Sequence, residues 1–125
     1  MNDMTDKKTS PPKVSIVKCD GYSNDKAYES IKASLDLIGG MESFVSKDER
    51  ILLKPNLLTA KSADRAVTTH PTIVHAVVRL VREAGAVPIV GDSPGIGSAV
   101  KVAEACGIMD VVKELDVEFV ELGTP

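Results

Sequence analysis

A chain of 125 residues, 43% hydrophobic and 26% charged, has the composition of one globular domain and the length to bury roughly two thirds of its unfolded surface. Its formal charge of −3 comes without a clustered basic face, so the electrostatic footprint of a nucleic-acid binder is missing. Two widely separated cysteines, Cys19 and Cys106, form no disulfide framework, and no apolar run approaches the ~18 residues of a membrane span, so no membrane partner is expected and a reducing, cytoplasmic setting is.

Residues 1–12 are polar, contain no apolar stretch and end at Pro11-Pro12, which reads as a disordered tail rather than a signal peptide. Residues 13–125 then read as a single α/β domain, the N-terminal part of a longer protein. Val14, Ile16 and Val17 open a first strand over about residues 13–18, closed by Cys19-Asp20-Gly21. Ala27, Ile31, Leu35 and Ile38 recur at helical spacing behind a possible cap at Asp25, and Gly39-Gly40 ends that helix. Ile51-Leu52-Leu53 is a short continuous apolar run, as in a strand buried on both faces.

After Lys54-Pro55-Asn56 a loop of about a dozen residues runs to Thr69, long enough to suggest a functional role. Pro71 suits the first position of a helix. Its expected core stripe is Ile73, Val77, Leu80, Val81 and Ala84, with Thr72, His75, Arg79 and Arg82 on the solvated face. Gly85 ends it and Val87-Pro88-Ile89-Val90 forms the next strand. Gly91 through Gly97 is a glycine-rich turn, and Ser98 caps a helix carrying Val100, Ala103 and Cys106 that stops at Gly107. Ile108, Val111, Val112 and Leu115 make a further amphipathic turn or two before a last strand at Val117, Phe119 and Val120. The order β-α-β-α-β-α-β predicts a Rossmann-like, three-layer parallel sheet of about four strands.

In such sheets ligands bind beyond the carboxyl ends of the strands, where strand order reverses. Cys19–Gly21, Lys54–Asn56 and Gly91–Gly95 fall at those ends, and Thr68-Thr69-His70 leads into a helix start on the same rim. Lys54 and Asn56 could grip an anionic group, or could form a plain turn. Gly91, Ser93, Gly95, Gly97 and Ser98 combine close backbone approach with a helix N-terminus, which favours phosphate or carboxylate. Asp92 would repel an anion unless a cation or a ribose hydroxyl intervenes. The alternative is a turn that needs Gly and Pro for its backbone, with local caps. His70 could move a proton or ligate a metal, or could be a capping residue bonded to backbone. No metal site is expected. The dinucleotide and P-loop fingerprints are both absent, since position 100 is Val where a third glycine is required.

Three strings now stand in order: Ile51-Leu52-Leu53-Lys54-Pro55-Asn56-Leu57, Ala66-Val67-Thr68-Thr69-His70-Pro71 and Val90-Gly91-Asp92-Ser93-Pro94-Gly95. With Gly39-Gly40 before them, they resemble the family catalogued as domain of unknown function 362, over roughly residues 13–122. The resemblance implies a longer prokaryotic parent, often with a ferredoxin-like segment holding a pair of 4Fe-4S clusters. Two cysteines cannot hold such a cluster, so no cofactor is expected within this chain. A weaker likeness to the N-terminal domain of nickel-pincer lactate racemases lacks their arginine-containing signature and their histidine–arginine pair.

The expected function is binding of a small anionic or nucleotide-like ligand at the C-terminal end of the sheet in an iron–sulfur-associated redox protein. Lys54, Asn56, Thr68, Thr69 and the 91–98 turn would hold the ligand, with His70 and Asp92 as the catalytic pair. A non-catalytic structural or regulatory module and an isomerase- or racemase-like domain are the alternatives.

Overall fold

The computed structural model describes residues 10–123. Most of the expected tail, residues 1–9, lies outside them. Among the described residues the order is α1 (Asn24–Asp36), β1 (Arg50–Leu53), α2 (Pro71–Glu83), β2 (Val87–Asp92), α3 (Ala99–Cys106), α4 (Ile108–Glu114) and β3 (Glu118–Glu121). Two short 3-10 turns, Met41–Ser43 and Ala63–Arg65, interrupt the connections. No helix among the described residues is long and apolar enough to cross a membrane.

The three strands form one parallel sheet in the order β1-β2-β3. Leu53 pairs with Val90 and Val90 with Phe119 in register, and these three meet the core beneath the helices. Right-handed crossovers between neighbouring strands in sequential order put α2, α3 and α4 on the same face, and α1 packs against α2. That face is sealed by Val74, Val78, Val102, Ile108 and Val112. The core is aliphatic because the chain has two Phe, two Tyr and no Trp. On the other face Leu52 is 46% exposed, and an Arg50–Glu118 ion pair at 3.0 Å spans the central strand. Pro88 is tolerated in β2 because the ladder to β3 begins one residue later, at Ile89.

Two expectations are corrected by the fold. Residues 13–18 are not a strand of this sheet. They run along α1, where Ser15 Oγ lies 2.7 Å from Ser34 Oγ and Ser30 Oγ donates to the Lys18 carbonyl. Val14 and Ile16 stay 85% and 89% exposed. Hydrophobic alternation supplies a strand's side chains, but without a neighbouring strand the backbone has no ladder to join. With three strands in sequential order, the sheet also has no strand-order reversal among the described residues.

The second correction concerns α2. Its buried residues are Val74, His75, Ala76, Val78, Leu80 and Val81, so the stripe is rotated from the expected one. His75 is buried, with Nε2 3.8 Å from a Glu114 carboxylate oxygen. Sequence periodicity sees one apolar stripe, whereas α2 is flanked by α1 and by α4 and therefore buries more than one face.

Candidate functional site

The carboxyl ends of β1 and β2 meet at Asp92. Strand β2 runs two residues further than the apolar run suggests, which carries Asp92 to 3% exposure at the strand's end. Its Oδ2 accepts the Leu57 N–H at 2.8 Å. Oδ1 forms an ion pair with the Lys54 ammonium 3.1 Å away, which leaves part of that oxygen's acceptor capacity open. Burial works to raise the Asp92 pKa. The Leu57 N–H, the Lys54 ammonium and the Ser93 N–H together outweigh it and hold the carboxyl below its ordinary value. Asp92 is thus a carboxylate at neutral pH, fixed by β2 rather than by a loop.

Leu57 explains why the turn after β1 has one shape. Its side chain is 1% exposed and sits in the core, while its N–H is tied to Asp92. The chain from Lys54 to Leu57 is pinned at both ends, leaving Asn56 exposed at the rim. Lys54 Nζ also lies 3.5 Å from Asn56 Oδ1. Asn56, Leu57, Val67, Asp92, Ser93 and Gly95 border a cleft of about 370 Å³. Of the expected site residues, therefore, Lys54, Asn56, Asp92, Ser93 and Gly95 are brought together.

The others play different parts. Gly91 is inside β2, not in the turn, and its register partner is Val120. A Cβ there would strike the Val120 carbonyl oxygen, so this glycine serves strand packing. Gly97 has φ 81°, a conformation that favours glycine, with open space before it. Ser98 caps α3 by accepting the Lys101 N–H. The expected anion position at this helix start is already served, because Glu121 Oε1 accepts the Ala99 N–H at 2.7 Å. A carboxylate from β3 there offsets the positive helix end that a phosphate would use.

His70 and Asp92 do not share a cleft. His70 is the N-cap of α2, its Nδ1 accepting the Thr72 N–H at 3.2 Å, so the neutral ring carries its proton on Nε2. Its ring stacks on Tyr22, centroids 4.0 Å apart. Thr68, Thr69, Tyr22 and His70 line a separate cleft of about 310 Å³. His70→Ala should cost about 1 kcal/mol of stability through the lost cap, and His70→Asn should restore it. Urea unfolding of both variants checks this; equal losses would show that the Tyr22 stack, not the cap, matters.

Leu57 and Tyr22 were not singled out from sequence. Leu57 stood at the end of the Lys54-Pro55-Asn56-Leu57 string, where an apolar residue in a polar turn was the available signal. For Tyr22 no sequence signal pointed to His70, 48 positions away. Among the described residues no group of three His, Cys, Asp or Glu side chains could hold a metal ion. Cys19 is exposed beside α1 and Cys106 is buried under α3, an arrangement that does not fit a 4Fe-4S cluster.

The family described as Domain of unknown function (DUF362) matches residues 51–125. A thylakoid-associated protein of Synechocystis sp. is 43% identical over 108 residues, which cover 86% of this chain and 34% of that relative. The chain therefore spans about a third of the relative's length. No solved structure matches it.

Proposed function

The chain belongs to the DUF362 family, and from that premise we propose that it binds a small hydroxylated, anionic ligand of nucleotide-like type in the cleft between the 54–58 turn and the 92–95 turn. The observation that carries this reading is Asp92 Oδ1, a buried carboxylate oxygen at the cleft whose ion pair with Lys54 leaves acceptor capacity for a further donor. A carboxylate oxygen can accept more than one hydrogen bond, so one that borders a cavity can take a further donor from a ligand. A sugar hydroxyl supplies that donor. The anionic part of the ligand would lie toward the half-exposed Lys54 ammonium and the Asn56 amide, since Glu121 occupies the helix start.

Lys54 is shared with Asp92, so its charge is partly offset and binding should be modest. Neither His70 nor a metal takes part in this reading. A ferredoxin-like segment would have to come from a region beyond this chain, corresponding to the part of the relative that it does not span, and no step of the proposal runs through a cluster. The relative's name attaches it to a thylakoid; for this chain we infer a place on the aqueous side, exposed to soluble ligands.

The test is an amide NMR titration with ribose 5-phosphate, AMP and inorganic phosphate in parallel. Shifts at residues 54–58 and 92–95 with the two ribosyl compounds, and weaker ones with phosphate, are expected. Asp92→Asn should weaken that binding by about tenfold, the worth of one good hydrogen bond to a charged group. No shifts at millimolar ligand would overturn the reading.

A second reading is favoured by the Leu57 N–H bond to Asp92 Oδ2. On it, Asp92 and Lys54 act as a structural latch and the chain is a non-catalytic module. Under this reading Asp92→Asn would alter stability while the wild-type chain would show no ligand shifts at all.

A further inference from the structure

The outer edge of β1 has no strand beside it among the described residues. The Val87 N–H bonds to the Glu49 carbonyl, and by alternation Ile51 and Leu53 also turn their backbone groups toward β2. The N–H and C=O of Leu52 therefore face outward. Above this edge lies a hollow of about 290 Å³, lined by Leu52, Leu53, Ile73, Val74 and Val77. Ile73 and Val77 of α2 are apolar yet only half-buried where they border this hollow. Unpaired backbone and unfilled apolar volume occur at the same place.

We propose that this edge accepts one further parallel β-strand of alternating aliphatic residues, supplied by a segment that corresponds to the part of the Synechocystis relative this chain does not span. Three observations choose that occupant. An unpaired sheet edge is a ready template for a further strand, and the outward-facing position here carries the apolar, exposed Leu52 rather than a charge or a proline. The chain's own candidate, residues 13–18, is engaged by α1 through Ser15 and Lys18 rather than lying on β1. The relative with 43% identity carries twice as much further chain as the matched part. The arriving strand would bond Leu52 with its backbone and seat its inward side chains against Ile73 and Val77.

The experiment is amide hydrogen exchange by NMR on this chain, with overlapping short peptides that tile the unmatched two thirds of the Synechocystis relative. One peptide, or two that overlap, should slow exchange of the Leu52 amide by about tenfold or more, as a new ladder bond does. Leu52→Lys, at an exposed position where folding should persist, should abolish that protection, with circular dichroism reporting the fold. Absence of protection by every peptide at millimolar concentration would overturn the proposal. Leu52 protection in the chain alone would also overturn it: concentration-dependent protection would assign the edge to a second copy, and concentration-independent protection to residues 13–18.

Discussion

Gly91→Ala is expected to destabilise the chain by about 3 kcal/mol, the upper end of the range for overpacking a well-filled interior. Gly91 sits in the central strand opposite Val120. A methyl group there would strike the Val120 carbonyl oxygen and come within 2.5 Å of its Cγ2. The obstacle is backbone, so no rotamer change relieves it. Strand β3 would have to move outward, stretching the Leu122 N–H bond to the Asp92 carbonyl and drawing Glu121 away from the start of α3. Urea unfolding should show a lower midpoint with an unchanged slope. A loss below about 1 kcal/mol would mean that β2 and β3 separate freely, and that the glycine serves the cleft after all.

Asp92→Ala is expected to cost about 2–3 kcal/mol, chiefly because the buried Leu57 N–H loses its acceptor. Releasing Lys54 adds little, since its side chain is 56% exposed and its ion pair is partly screened. For a domain of this size the melting temperature should fall by roughly 10 °C. The same carboxyl predicts a pH dependence. Its folded pKa lies below the unfolded value near 3.8, so the unfolded state binds the proton more readily. The stabilisation is complete above about pH 4 and is lost as pH falls through the lower folded pKa. Thermal melts from pH 7 to pH 2 should therefore show a fall in stability below about pH 4 that is smaller in Asp92→Asn. Parallel profiles for the wild type and the Asp92→Asn variant would show that Asp92 contributes no charge-dependent stability.

One carboxylate combines a structural latch with an ion-paired oxygen that borders the cleft. Oδ2 anchors the 54–58 turn, and Oδ1 is thereby held at a fixed position with no freedom to turn toward solvent. A ligand would meet a preorganised acceptor, which lowers the ordering cost of binding. This is why stability and binding must be measured together on the same variants.

Much of the fold was legible along the chain because it depends on local signals. Pro71 and Gly85 bracket α2, and Ser98 and Gly107 bracket α3, near the expected positions. The short aliphatic runs became β1, β2 and β3 within a residue or two at each end. The polar strings at 54–56 and 92–95 did converge, since parallel strands deliver their carboxyl ends to the same rim. The separation of His70 from Asp92 was not legible: a helix start on that rim can lie on either side of the 57–69 loop.

By itself, then, the sequence determined the alternation of helices and strands, the parallel sense of the sheet, an aliphatic core and membership of the DUF362 family, because periodicity, caps and glycine positions act over a few residues. Only the tertiary structure decided that residues 13–18 join α1 instead of the sheet, that His75 is buried, that Gly91 answers to Val120, that Glu121 fills the start of α3, and that Asp92 binds Leu57 through one oxygen and Lys54 through the other. Each of these rests on a contact between residues far apart in the chain, where packing and backbone pairing, rather than local preference, set the energy.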